Sequence, residues 1–465
     1  MKSLRIAALA AGMAFPLAAG AQAPVLPAFA VGAATVTPSV LAGNLRTIWE
    51  LVWGPDNFIW MTERAGRISR VNPATGQVIP LLTIADVTEN NESGLLGMAL
   101  HPDFATSPFV YVVYNYTDAG ALKEKLVRYT YSAAAGTLTA PLLLLGNIAA
   151  VSTHSGSRLL ILPDRTLLMT TGDAQQQPEA QNMNSLNGKI LRLNLDGTVP
   201  ADNPIPGNRL YTLGHRNPQG LVQLPNGRIY SSEHGPSTDD EINKIEAGRN
   251  YGWPNVEGYC NLPAEVAFCS TNNVREPLTV WTPTIAPAGL AYYDHPAIPG
   301  WRGSLLLVAL RGNKLTQLPL DAAGLAITTR TDFLTTFGRL RAICVSPQGR
   351  VYVGTSNRDG RGGPAATDDR ILVLENRAFV ATAAQSTAAV YPFDIFPNPA
   401  HRLAEVRLPA FVSRLTVHDL LGRPVVELRP AGLTTTLDLR ALKAGTYLVQ
   451  AEGPAGRTTR KLVVE

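Results

Sequence analysis

The sequence predicts an all-β chain built from recurring antiparallel strand pairs, with a second, smaller β-unit at its C-terminal end. Three observations carry that prediction. The 465 residues include 40 Gly and 35 Pro but only 16% charged residues, a balance that suits short strands and turns better than long helices. A Pro-led turn followed by an apolar or aromatic run recurs four times. The texture of the chain also changes near residue 377.

The recurring unit stands at 55–60 (Pro-Asp-Asn-Phe-Ile-Trp), 163–168 (Pro-Asp-Arg-Thr-Leu-Leu), 225–230 (Pro-Asn-Gly-Arg-Ile-Tyr) and 347–352 (Pro-Gln-Gly-Arg-Val-Tyr). Partner strands follow at 66–71, 188–193 and 370–374. A lone pair of strands leaves a face bare, so several pairs must pack around a common axis, which is how a β-propeller is built. A β-sandwich with Pro-Asp-Gly turns would show the same pairs. The uneven spacing of the copies leaves room for long functional loops.

The two ends of the chain read differently. Lys2 and Arg5 precede an apolar run from Ile6 to Ala19, and small residues follow at Ala21 and Ala23, which predicts a signal peptide over 1–23. The run is too short to span a bilayer, and no later segment is long enough. Export makes an oxidising environment, so Cys260 and Cys269, close together in one loop, are expected to pair, and Cys344 in an apolar run is expected to be a buried thiol. So few cysteines do not make a metal site. The net charge of +4 is spread evenly, which gives no reason to expect a nucleic-acid partner.

Residues 24–376 form the first expected unit, 377–390 an Ala- and Thr-rich linker, and 391–465 the second unit. In the last of these, Phe-Pro-Asn-Pro-Ala at 396–400, Val-His-Asp-Leu-Leu-Gly-Arg at 417–423 and Leu-Lys-Ala-Gly-Thr-Tyr at 442–447 resemble the type-A sorting domain of the type IX secretion system. The resemblance implies a small β-sandwich, delivery by that machinery, and a secreted or cell-surface location. A small Ig-like sandwich that binds carbohydrate or another domain would share the strands without these motifs.

The densest chemistry lies at 211–221, Tyr-Thr-Leu-Gly-His-Arg-Asn-Pro-Gln-Gly-Leu, where Arg, Asn and Gln held by Gly and Pro offer planar donors suited to carboxylate or quinone oxygens. With Ser-Glu-His-Gly-Pro at 232–236, Asp-Asp-Glu-Ile-Asn at 239–243 and Asn-Tyr-Gly-Trp-Pro-Asn-Val at 250–256, it resembles the soluble quinoprotein glucose and aldose sugar dehydrogenases. Supporting matches run from Leu95 to Gly349. The resemblance implies a six-bladed propeller that oxidises the C1 hydroxyl of an aldose to a lactone with pyrroloquinoline quinone (PQQ) and calcium, passing electrons to an unknown acceptor.

Such a cofactor is a tricarboxylated ortho-quinone, so it needs several cations in a concave site and a hard metal on its carbonyl. The matching motifs bring Arg216, Asn217, Arg311, Arg339 and Arg341 to the cofactor, with Arg311 standing where the family has a lysine. Glu92 replaces the family's glutamine beside the same site. The quinone-bound calcium maps onto the carbonyls of Gly235 and Pro236, because a Gly-Pro turn presents main-chain oxygens that a hard cation prefers. A second calcium maps onto the Glu241 side chain and main-chain oxygens at Tyr251 and Glu257, with Asn261 in place of a carboxylate. A solvated acidic loop at 239–241 is the plainer reading of that stretch.

His154, in Thr-His-Ser-Gly-Ser-Arg-Leu at 153–159, falls on the family's general base. A neutral imidazole can take the hydroxyl proton while hydride leaves C1. Thr153 stands in place of an aspartate, and Trp281 is the nearest aromatic for the sugar pocket. These departures point away from strict glucose specificity, toward a broader aldose or oligosaccharide. Two other functions share the architecture. One is a non-catalytic binding propeller of the hedgehog-interacting-protein type, and the other a calcium-dependent lactonase-like hydrolase, which would need acidic ligands in the central channel.

Overall fold

A computed structural model describes residues 26–380 and 393–465, apart from 409–411, 421, 431 and 454–455. The expected signal peptide and most of the expected linker lie outside the described residues. Six antiparallel sheets of four or five strands follow one another. Their first strands, Ile48–Trp53, Leu95–Leu100, Gly156–Ile161, Pro218–Gln223, Pro287–Tyr293 and Leu340–Val345, each touch the next and the last touches the first. The result is the closed ring of a six-bladed propeller.

Each Pro-led turn found in the sequence delivers the second strand of a blade: Ile59–Glu63, Thr166–Thr171, Ile229–Glu233 and Val351–Thr355. The strands expected to partner the first, second and fourth of these pair with them in antiparallel register. Ring closure uses the two ends of the propeller, since Ala34–Ala42 pairs with Ile371–Glu375 and completes the sixth blade. Large aromatic side chains fill the wedges between blades. Trp60 is fully buried and meets Phe104 and Tyr131 edge-on, at ring distances of 5.4 and 5.3 Å; replacing such a side chain by Ala costs about 3–5 kcal/mol.

All six innermost strands carry a register irregularity in their first half. A bulge there bends the strand and re-aims its side chains, and it does so where the strands enter the central channel. Because each second strand runs antiparallel to the first, the start of every inner strand and the end of every second strand meet at one mouth of the ring. That mouth is where the polar residues gather.

Residues 394–464 form two further sheets, one of three strands and one of four, packed on their own core of Val406, Leu415, Val417, Leu437, Val449 and Leu462. This is the expected small β-sandwich. Among the described residues no helix is long and apolar enough to cross a membrane.

Candidate active site

At the mouth of the ring a cleft of about 530 Å³ is lined by residues from all six blades, among them Trp49, Arg64, Glu92, Gln219, His234 and Arg339. Arg341, Asp359 and Arg361 complete its charged wall, so four guanidinium groups (Arg64, Arg339, Arg341, Arg361) face two carboxylates (Glu92, Asp359), an excess of two positive charges. Arg339 and Arg341 are two apart at the start of one strand. Arg339 Nε donates to Asp359 Oδ2 at 2.7 Å, while Arg341 Nη1 donates to Gln219 Oε1 at 3.2 Å across the channel. Burial holds the Arg341 guanidinium down at about 10, against the pull of Asp359 and Glu92.

The floor of the cleft is a second buried layer. Arg158 stacks on Trp49 at 4.3 Å, pairs with Glu50, and donates Nε to the Gln219 carbonyl at 2.7 Å. Arg216 lies half-buried at the neighbouring edge. Its Nη1 donates to the His234 carbonyl at 3.2 Å, its plane lies over Trp253 at 5.4 Å, and its Nε is buried without a partner. Asn217 is fully buried, its Oδ1 accepting the Gly156 N–H at 3.1 Å and its Nδ2 left without a partner.

His154 sits beside the cleft on the loop whose next residues, Ser155 and Gly156, line it. The backbone there is left-handed, with φ +57° at His154. Its Nδ1 meets Asp173 Oδ1 at 2.8 Å. Asp173 is fully buried and also accepts the Gln175 N–H at 2.8 Å and the Trp253 indole N–H at 2.9 Å. Asp173 accepts from two N–H groups already, and its contact with Nδ1 suits the Nδ1–H tautomer of His154, which leaves Nε2 as the acceptor. No group among the described residues hydrogen-bonds that Nε2.

Gly235, Pro236, Glu241, Tyr251 and Glu257 line one adjoining cavity of about 270 Å³, which also takes in Arg216, Glu233 and His234. The residues of both expected metal sets, Asn261 excepted, therefore line a single space. Glu241 is held by the Asn243 amide at 2.8 Å and the Gly258 N–H at 3.1 Å, and burial beside Glu233 pushes its carboxyl well above the ordinary range. In the stretch at 239–241 Asp240 is buried and Asp239 and Glu241 are half-buried, with Asp240 fixing the Gly235, Ile285 and Ala286 amides. Among the described residues no three His, Cys, Asp or Glu side chains cluster as a metal centre, so main-chain oxygens would have to supply most ligands.

Three expected residues lie elsewhere. Arg311 is exposed and donates to Thr284 at 2.7 Å, outside the cleft lining, while its neighbour Leu310 lines it. Trp281 does not face a sugar pocket: it is in the outermost strand of the fourth blade, buried in the wedge against the fifth and covered by Arg330 at 4.4 Å. Asn261 stands outside the second cavity, its N–H bonded to Glu265 at 3.2 Å.

Sequence reasoning gave no role to Asp173, His234, Asp359 or Trp253. His234 lines both cavities. Its buried Nε2 has no partner, and burial, aided by Arg216 and Arg341 against Glu92, holds the imidazole neutral, down at about 3. Asp173 follows, two residues on, the strand Thr166–Thr171, which is buried at every position.

The remaining loop near the second cavity is stapled. Cys260 and Cys269 form a disulfide with a Cα separation of 6.5 Å, and it ties the chain ahead of the helix Pro263–Thr271 to that helix's last turn. Cys344 is a buried free thiol.

Comparison with known proteins fits this geometry. Residues 394–465 match the secretion system C-terminal sorting domain. The chain is 33% identical over 464 residues to quinoprotein glucose dehydrogenase B of Acinetobacter calcoaceticus, covering 80% of this chain and 96% of that protein. Against the aldose sugar dehydrogenase of Escherichia coli it is 30% identical over 344 residues, covering 70% and 92%. The PQQ-bound aldose sugar dehydrogenase of Streptomyces coelicolor superposes with a TM-score of 0.64 at 34% identity, covering 74% of this chain and 98% of that one. Residues 45–372, which contain the innermost strand of every blade and every residue of the cleft, match the Glucose / Sorbosone dehydrogenase family, and the chain belongs to it.

Proposed function

We propose that this protein is an exported quinoprotein dehydrogenase that oxidises the C1 hydroxyl of an aldose to the lactone with PQQ and calcium. The observation that carries the reading is the buried Asp173–His154 pair set beside a cleft with an excess of guanidinium groups. The lactonase-like alternative fits less well, because a metal-dependent hydrolase would line its channel with carboxylates.

The residues suit the two absent groups. Arg339, Arg341 and Arg216 would hold the carboxylates of the cofactor, and the partnerless Arg216 Nε, Asn217 Nδ2 and His234 Nε2 mark polar atoms that a polar ligand would satisfy. Arg311 would serve at the edge, and Glu92 would face the same ligand. The Gly235 and Pro236 carbonyls would hold calcium, and Glu241 with the Tyr251 carbonyl supports a second ion that would relieve a buried charge. When bound, the quinone supplies the two-electron acceptor and calcium polarises its carbonyl.

The chain's own part is positional and basic. Asp173 fixes the His154 tautomer, so Nε2 can take the C1 hydroxyl proton as the C1–H bond delivers hydride to the acceptor. Residues 1–23 would direct export, 24–376 act as the catalytic unit, 377–390 as linker, and 391–465 as the substrate of the type IX machinery, leaving the enzyme at the cell surface or in the medium.

The decisive experiment adds PQQ and calcium to purified protein and screens aldoses and oligosaccharides with a dye acceptor. Dye reduction that needs both additions supports the reading. A folded protein that neither binds PQQ nor reduces dye supports the binding propeller instead.

A further inference from the structure

Trp253 touches both halves of this site. Its backbone is locked, with its N–H donating to the Gly214 carbonyl at 3.0 Å and its carbonyl accepting from Gln181 Nε2 at 2.6 Å. Its side chain is 6% exposed. One edge of the ring donates Nε1–H to Asp173 Oδ2 at 2.9 Å, and its face carries the Arg216 guanidinium at 5.4 Å. Asp173 and Arg216 are opposite charges joined through the backbone, since the Asp173 N–H donates to the Arg216 carbonyl at 2.8 Å. The indole touches both groups, and on Arg216 it acts beside the His234 carbonyl, which accepts from Nη1 at 3.2 Å.

We propose that Trp253 is a positioning residue for both the base and the cofactor cation: its N–H fixes Asp173, and its ring holds Arg216 apart from Asp173. The proposal rests on the reading of His154 as base and Arg216 as cofactor ligand. Indole is suited to the task because it donates but cannot accept or ionise, so the carboxylate has no option but to accept from both Trp253 and His154. A face-on cation contact needs only the ring, so the two roles are separable by substitution.

Trp253→Phe keeps the ring and removes the donor. It should lower kcat about tenfold or more, the usual size for loss of a partner one step behind a functional group. KM and the PQQ concentration giving half-maximal thermal stabilisation, with calcium present, should change less than about twofold. Losing one donor makes Asp173 a stronger acceptor for His154, which favours the imidazolium. The acid limb of kcat/KM should therefore move up, by roughly half a pH unit. The titratable groups that face His154 are Asp173, Glu92 and His234. Trp253→Leu removes both roles and should also weaken PQQ binding, by about tenfold.

Coupling is tested in the Asp173→Asn background, where Trp253→Phe should add almost nothing. A readout independent of the Trp253 variants is the indole region of a 1H–15N spectrum, in which one tryptophan signal should lie downfield and move upfield in Asp173→Asn. Wild-type kcat, an unmoved acid limb in Trp253→Phe and an indole spectrum unchanged by Asp173→Asn would overturn the proposal. If His154→Ala and Asp173→Asn themselves left turnover intact, the reading of the base would fail instead.

Discussion

Glu92 bridges the catalytic loop and the sixth blade: one carboxylate oxygen accepts the His154 N–H at 3.3 Å, and the other meets Arg361 Nη1 at 2.9 Å. Burial alone would raise this carboxyl, but His234, Arg361 and Arg341 together hold it below its ordinary value. It is therefore an anion inside an anion-binding cleft. Glu92→Gln keeps an acceptor for the His154 N–H and removes the charge, so PQQ affinity should rise roughly two- to tenfold. Thermal-shift titration with calcium present measures it, and weaker binding in the variant would contradict this account.

Cofactor binding and chemistry should separate between the two ends of the cleft. His154→Ala should lower turnover about a hundredfold or more with PQQ affinity nearly unchanged. Arg341→Ala removes a buried charge-assisted donor and should weaken PQQ roughly ten- to a hundredfold. Steady-state kinetics at saturating PQQ, beside a PQQ titration, distinguish the two patterns.

Glu124 contributes a dependence on pH that is unrelated to catalysis. It is fully buried beneath the His154 loop, accepts from Ser157 at 3.1 Å, and burial pushes its carboxyl from 4.5 up to about 8. A carboxyl raised in the folded state binds its proton more tightly folded than unfolded. Stability from this group is thus greatest below about 4.5 and declines as pH rises toward about 8. Glu124→Gln should remove the decline, so its Tm should gain on wild type between pH 5 and 8. Parallel Tm curves across that range would show that Glu124 does not titrate there.

The Cys260–Cys269 bridge closes a short loop, and a chain-entropy estimate gives it about 3 kcal/mol. The loop between Gly258 and Glu265 also holds residues beside the second cavity, where Glu265 accepts the Glu257 N–H at 3.4 Å. Replacing both cysteines by Ser should lower Tm and weaken the stabilisation that calcium gives, both readable in one calorimetric series with and without chelator.

A chain ending at residue 380 should keep sugar oxidation and Tm of the propeller, because the sandwich of residues 394–464 has its own core. In the native host the same truncation should accumulate in the periplasm. Loss of dehydrogenase activity in the folded truncation would tie the tail to catalysis.

The four Pro-led turns were legible because each pairs a fixed-φ residue with strand alternation immediately after it. The second and fifth blades escaped the pattern. The strand Phe109–Asp118 enters through Ser107 and Pro108 with no Gly turn, and Ser304–Ala309 enters from a short 3-10 turn at Pro299–Trp301. The arginines and His154 were readable in local motifs. Asp173 was not, since its meaning comes from Trp253, 80 residues away, and His154, 19 residues away. Trp281 misled because an aromatic in a strand looks the same whether it faces a cleft or a wedge between blades; only its pairing with Asp240 as the outermost strand decides.

The seam at Ala34–Ala42 and Ile371–Glu375 also sets a timetable. A ring joined through its first and last strands cannot close while the ribosome still holds the far end, so each growing chain keeps bare strand edges until more than three hundred residues have emerged. A chain in that condition remains threadable. The late seam thus suits the export proposed above, in which the chain would cross a membrane unfolded, pair its cysteines on the far side, and only then become a rigid wheel.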